Sequence, residues 1–236
     1  MFGSLDPSRR PAYQKPISSF LGLTEEQIDA HLAVRRYGDF ELTDAVTPSY
    51  DLRVVPRQGY RHETYTDPET GGMMPALMVA ATREVLWDLF EDLLEPLGDD
   101  VAFVLETSHT KNTKSLQNGH RDFYREHIDL PVLKSTLHDH LDLLLNDGCT
   151  GIAVTNPSAL LEVQLDEHKL ITIYAKQLSA FERILRGHGV FLDQRIKFIT
   201  EAEHAHSTSE RYRKEFNQLA YKLGMESDDD EDLFNA

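Results

Sequence analysis

The chain has 236 residues, of which 40 are acidic and 24 basic, for a formal charge of −16. A hydrophobic share of 40% can build a core, which excludes disorder of the whole chain. The negative charge argues against a protein that coats nucleic acid, because phosphate binding needs a basic face. The one cysteine, Cys149, excludes an intramolecular disulfide framework.

The sequence also argues against a membrane protein. Its apolar runs are far shorter than the roughly 20 residues of a membrane-spanning helix. The first residues lack the basic and apolar regions of a secretory signal. We therefore expect no membrane contact and a cytoplasmic setting, whereas the oligomeric state cannot be predicted.

Three prolines favour an extended arm over residues 1–20. Thr24 and Gln27 have the spacing of a capping box, which predicts a helix directly after Thr24. Alternating apolar and polar residues then predict two hairpin-like strands, Phe40–Val46 and Tyr50–Val55.

The middle of the chain combines a long loop with helices and a strand. Prolines and glycines predict the loop over residues 56–75, and an amphipathic pattern predicts a helix from Pro75 to Glu95. Val101–Thr107 is predicted to be a short apolar strand. Residues 108–126 show neither helical nor strand periodicity, and Pro131–Asn146 returns to a helical pattern.

The last third repeats this mixture of strands and helices. Its predicted elements are strands at 152–155, 161–165 and 170–175, a helix at 177–186, a strand at 195–204 and a helix at 207–223. An acidic tail follows over residues 225–236. We therefore predict an α+β fold in which residues 21–224 form one domain with a mixed, mainly antiparallel sheet.

Two segments suggest an internal repeat. Val101–His109 aligns without gaps on Ile196–His204, with matching phenylalanine, glutamate and histidine. A duplication would give two ββαβ lobes, about residues 39–107 and 151–206, with a ligand cleft between them. Alternatively, a single α+β domain uses one supersecondary unit twice without duplication.

The most unusual segment is the polar stretch 107–125. It has no acidic residue between Glu106 and Asp122, although the chain as a whole is strongly acidic. A basic loop of this kind favours an anionic ligand, whereas the alternative is a solvated connection. Its basic residues and histidines are His109, Lys111, Lys114, His120, Arg121 and Arg125.

The eleven histidines raise the question of a metal site. His204 and His206 are two positions apart, so they point to the same side of an extended strand. Zinc needs three or four protein ligands, and His109 is the candidate for a third if the two aligned segments are neighbours. Surface or capping roles explain the same residues, so we predict no metal and no cofactor.

The leading hypothesis is a non-catalytic module that binds an anionic small molecule or an acidic protein segment. The alternative is an enzyme for a small anionic substrate, with His109 or His204 as base and a glutamate orienting it. Cys149 is a further candidate nucleophile, although a lone cysteine is more often an inert apolar residue. The predicted binding residues are Glu106, His109, Lys111, Lys114, His120, Arg121, Arg125, Glu201 and His204.

Overall fold

The computed structural model describes residues 18–66, 71–108 and 121–225. Of the predicted arm over residues 1–20, residues 1–17 lie outside the described residues. The same holds for the tail after residue 225 and for four predicted loop residues, His109, Lys111, Lys114 and His120.

The first half of the described chain contains two helices and six strands. They are α1 (Glu25–Leu32), β1 (Arg36–Tyr37), β2 (Phe40–Glu41), β3 (Val46–Pro48), β4 (Gly59–Thr66), β5 (Met73–Ala80), α2 (Arg83–Leu94) and β6 (Asp100–Thr107). The capping box predicted for α1 is present: the Thr24 hydroxyl accepts a hydrogen bond from the Gln27 N–H, and the Gln27 side chain accepts one from the Thr24 N–H.

The second half supplies five strands and four helices. They are β7 (Arg121–Asp129), α3 (Leu130–His138), α4 (Leu141–Asn146), β8 (Thr150–Asn156), β9 (Leu161–Leu165), β10 (Ile171–Tyr174), α5 (Ser179–Gly187), β11 (His204–His206) and α6 (Glu210–Lys222). No described helix is both long and apolar enough to cross a bilayer.

Seven strands form one antiparallel sheet in the order β4-β5-β10-β9-β8-β6-β7. Alternate residues of these strands are buried against α2, α3, α5 and α6, as Phe103, Val154 and Ile173 show. Burial of one such side chain contributes about 2 kcal/mol. The predicted α+β class with a mainly antiparallel sheet is therefore confirmed.

Several element predictions are wrong. The predicted strand Tyr50–Val55 forms turns and bends instead, and the strand before it, β3, pairs with β11 rather than with it. The helix predicted from Pro75 begins only at Arg83, because the apolar run 73–80 is taken up by the sheet between β4 and β10. β4 lies within the predicted loop. β7 begins within the stretch 108–126 predicted to be irregular, because a strand at a sheet edge tolerates charged side chains.

The internal repeat is not confirmed. Val101–Thr107 belongs to β6, which pairs with β7 and β8 on its two sides. The predicted strand 195–204 is wrong: this segment contains a short 3₁₀ turn, Ile199–Glu201, and regular pairing begins only at His204. Its apolar side chains instead join a small second core, whose members include Ile196, Phe198, Phe40 and Leu42.

Candidate functional site

Three histidines from two distant segments meet beside the β9–β10 turn. The imidazole of His168 lies 4.8 Å, between ring centroids, from both His204 and His206, and those two are 5.0 Å apart. One potential ligand atom from each side chain lies within 4.8 Å of the other two. We call these three residues the histidine cluster.

His204 and His206 are positioned by the short strand β11. This strand pairs antiparallel with β3, so that His204 stands opposite Pro48 and His206 opposite Val46. Side chains two residues apart in an extended strand share a side, which places the two imidazoles together. The third histidine is His168, whereas the His109 proposed from the sequence lies outside the described residues.

His168 is positioned by a tight turn built on Asp166. One carboxylate oxygen of Asp166 accepts hydrogen bonds from the N–H groups of His168, at 2.9 Å, and Leu170, at 2.8 Å. Its other oxygen lies 3.2 Å from Nδ1 of His168. Lys169 adopts φ +62° between them, which closes the turn. Both Asp166 oxygens therefore help to hold the histidine in place.

The hydrogen bonds at Nδ1 determine the tautomers of the other two histidines. Nδ1 of His204 lies 2.8 Å from the carbonyl oxygen of Ala202, and Nδ1 of His206 lies 2.5 Å from that of Gly148. A carbonyl oxygen only accepts, so Nδ1 carries the hydrogen. In the neutral ring the Nε2 atom then has the lone pair, which is the form that ligates metals.

Gly148 brings the backbone of the cluster together. Its N–H donates to the Ser207 carbonyl at 2.7 Å, and the Ser207 N–H donates to the Ala45 carbonyl at 2.8 Å. A Cβ at position 148 would lie 2.3 Å from the Ala45 oxygen and 3.0 Å from the Ser207 nitrogen. Only glycine permits this approach of three backbone segments.

The charges around the cluster act differently on its members. Burial lowers the pKa of His168, but the hydrogen bond and charge of Asp166, together with the charge of Glu167, outweigh burial and raise it above its usual value. For His206, burial lowers the pKa, and positive charge on its two histidine neighbours adds to this decrease. Glu167 Oε1 lies 3.7 Å from Nδ1 of His168.

A buried polar layer lies next to the turn. Lys169 is 5% exposed and donates from Nζ to the Thr150 carbonyl at 2.7 Å. Burial lowers its pKa to about 8, against the opposing charges of Asp147 and Asp166. Burial raises the pKa of the Cys149 thiol. Because the thiolate is the nucleophile, this environment does not activate Cys149 at neutral pH.

The structure separates several of the binding residues predicted from the sequence. His204 belongs to the cluster. Glu106 lies beside Gly151: a Cβ added to Gly151 would be 3.3 Å from Glu106 Oε2 and 3.5 Å from the Cα of Asp166. Glu201 instead accepts from Arg61 at 2.6 Å. Two arginines were predicted to bind the anion. Arg125 donates to the Leu223 carbonyl at 2.6 Å, and the guanidinium carbon of Arg121 lies 5.5 Å from the centroid of the Phe123 ring.

Reasoning from the sequence missed His168 and its two carboxylate neighbours. The triplet Asp166-Glu167-His168 could be placed in a hairpin turn, but nothing in the sequence connects it with a His-x-His pair some 36 residues later. Comparisons with protein families, with curated proteins and with solved structures found no match to this chain. Its function therefore has to be argued from the site itself.

Proposed function

We propose that the protein binds a divalent transition-metal ion, with Zn²⁺ the best match, at His168, His204 and His206. The observation that carries the proposal is that Nδ1 of each ring faces an acceptor: the Asp166 carboxylate or a backbone carbonyl. Histidines that ligate metals commonly donate their second ring nitrogen in this way, because the bond orients the ring and increases its basicity.

The spacing of the rings also suits one shared ion. Zinc–nitrogen bonds of about 2.0–2.1 Å at tetrahedral angles place the centroids of ligating imidazoles about 5 Å apart. The observed centroid distances are 4.8 and 5.0 Å. Imidazole nitrogen suits zinc, copper, nickel and iron, whereas magnesium and calcium prefer oxygen ligands.

Three protein nitrogens leave a fourth coordination position. Glu167 is the nearest carboxylate that is not occupied with holding the turn, and its charge acts on both His168 and His206. Where Glu167 stays unbound, an anionic ligand or a water molecule takes this position. We therefore retain the hypothesis of a module that binds an anionic small molecule or an acidic protein segment, with the metal ion instead of the basic loop as the group that attracts the anion.

A metal-dependent enzyme is the second candidate, because the charge of Glu167 acts on both His168 and His206. A carboxylate next to a metal-bound water can accept its proton, which is how hydrolytic metal sites generate a nucleophile at neutral pH. Hydrolysis of a small anionic substrate that depends on both the metal and Glu167 would distinguish this candidate from the binding module.

The test uses the full chain without an affinity tag, after treatment with EDTA. We expect Co²⁺ to give the absorption bands of a four-coordinate site with three nitrogen ligands, and Zn²⁺ to displace it and raise the melting temperature. His168→Gln, His204→Gln and His206→Gln should each weaken Zn²⁺ binding by at least about tenfold. His127→Gln is the control, because that ring is exposed and pairs with Asp100 instead.

Circular dichroism establishes that each variant is folded. The proposal is overturned if the wild-type chain binds neither ion at stoichiometric concentrations. It is also overturned if the three folded glutamine variants bind Zn²⁺ as tightly as His127→Gln does.

A further inference from the structure

A second polar surface lies on the sheet face that the helices do not cover. Val163 and Ile173 point into the helix-covered core, so the alternating side chains of β9 and β10 point to the opposite face. A groove of about 430 Å³ opens there. It is lined by Tyr65, Gly72, Met73, Met74, Glu162, Gln164 and Tyr174, and we call it the tyrosine–glutamate groove.

Strand register sets the geometry of this groove. Glu162 pairs directly with Tyr174 across β9 and β10. The Tyr174 ring meets that of Tyr65 from β4 edge to face, with the ring centroids 5.6 Å apart. A half-buried carboxylate thus lies beside the Tyr174 ring, and the Tyr65 ring packs against the Tyr174 ring within the same groove.

Glu162 has no cationic partner among the described residues. Its side chain accepts a hydrogen bond from the Gln164 amide, and none of the ion pairs between described residues includes it. Burial raises the pKa of Glu162 above its usual value, since a carboxylate removed from water is disfavoured without a counter-charge. A cation supplied by a ligand would provide that charge.

The acidic character continues along the sheet. A neighbouring groove of about 400 Å³ shares Glu162 and Gln164 and adds Glu106, Glu126 and the exposed Tyr124. Arg125 also lines it, but two atoms of its guanidinium already donate to backbone carbonyls. The joined surface therefore combines carboxylates with tyrosine rings.

We propose that the tyrosine–glutamate groove binds a small organic cation that carries a guanidinium group. The planar guanidinium donates paired hydrogen bonds to a carboxylate and stacks on aromatic rings, which matches Glu162 beside the Tyr174 ring, with the Tyr65 ring packed against Tyr174. The groove has the volume of a small-molecule site, and the chain's charge of −16 attracts a cation. The proposal is independent of the metal at the histidine cluster.

The test is calorimetric titration of the full chain with arginine amide in the presence of EDTA, which keeps the histidine cluster free of metal. We expect saturable binding that weakens as salt increases. Glu162→Gln, which keeps an acceptor for Gln164, should weaken binding by at least about tenfold. Glu182→Gln is the control, because Glu182 pairs with His62 on another surface.

Tyr174 separates ring contact from hydroxyl contact. Tyr174→Phe should keep binding within about twofold, whereas Tyr174→Leu should weaken it several-fold because the aromatic face is lost. The proposal is overturned if arginine amide shows no saturable binding, if Glu162→Gln binds as well as Glu182→Gln, or if spermidine binds more tightly than arginine amide.

Discussion

The histidine cluster and the tyrosine–glutamate groove both use the β9–β10 hairpin, but they are assembled differently. The groove places side chains of regular strands opposite one another, as Glu162 and Tyr174 show. The cluster joins a turn, a three-residue strand and the carbonyl of Gly148 through close backbone contacts. We infer that the groove depends on how strands pair within one sheet, whereas the cluster depends on how a turn, a short strand and a loop outside that sheet approach one another.

The largest expected difference between the cluster and the groove comes from adding one carbon at Gly148. Gly148→Ala places a Cβ 2.3 Å from a backbone oxygen that cannot rotate away. We expect the free energy of unfolding in urea to fall by about 3 kcal/mol. Zn²⁺ binding should be lost, whereas arginine amide should still bind any chain that folds.

Gly187 provides the matched control. It is the last residue of α5, and nothing lies within 4 Å of where its Cβ would stand. Gly187→Ala should therefore change the unfolding free energy by less than about 1 kcal/mol. Equal effects of the two substitutions would contradict the role assigned to Gly148.

The next largest effect is expected at Asp166, which touches the cluster without entering it. In Asp166→Asn the oxygen can still accept from the backbone, but the amide NH₂ cannot accept from Nδ1 of His168. The His168 tautomer with hydrogen on Nε2 is then favoured, and we expect Zn²⁺ affinity to fall about 10- to 100-fold.

The same change at a second His–Asp pair controls for the loss of charge. Asp92 lies 2.7 Å from Nε2 of His188, and Asp92→Asn should leave the dissociation constant for Zn²⁺ unchanged. Competition with a chromophoric chelator measures both variants. Identical constants for Asp166→Asn and the wild type would show that Asp166 does not orient a ligand.

A smaller effect concerns the groove and depends on pH. Because the pKa of Glu162 is raised in the folded protein, folding favours its protonated form, and stability decreases as pH rises from the unfolded value of about 4.5 through the folded value. Glu162→Gln should therefore have the higher melting temperature at pH 7, and the difference should vanish at pH 4. A difference independent of pH would contradict the burial of this carboxylate.

The smallest effect is expected at an exposed carboxylate, and its sign is opposite. A hydrogen bond from Thr82 and an ion pair with Arg36 lower the pKa of Glu84 to about 2. This stabilisation is present above pH 4.5 and is lost as pH falls towards 2. Glu84→Gln should melt slightly below the wild type at pH 7 and together with it near pH 2 in thermal scans.

Local signals in the sequence predicted a good part of the fold. The capping box of α1, the apolar strand 101–107 and the strands 161–165 and 170–175 can all be read within a few residues. Local signals failed where contacts within the sheet determine the secondary structure. The apolar run 73–80 is compatible with helix or strand, and two strand partners make it β5.

The histidine cluster was partly predictable from the sequence, whereas the groove was not. The sequence by itself determined that His204 and His206 share a side of a strand, because that follows from the period of extended backbone. Only the tertiary structure decided that His168 completes the cluster and that Glu162 shares a groove with Tyr65 and Tyr174. Both depend on which segments pack against each other, and this is settled by burial over the whole sheet rather than by any short run of residues.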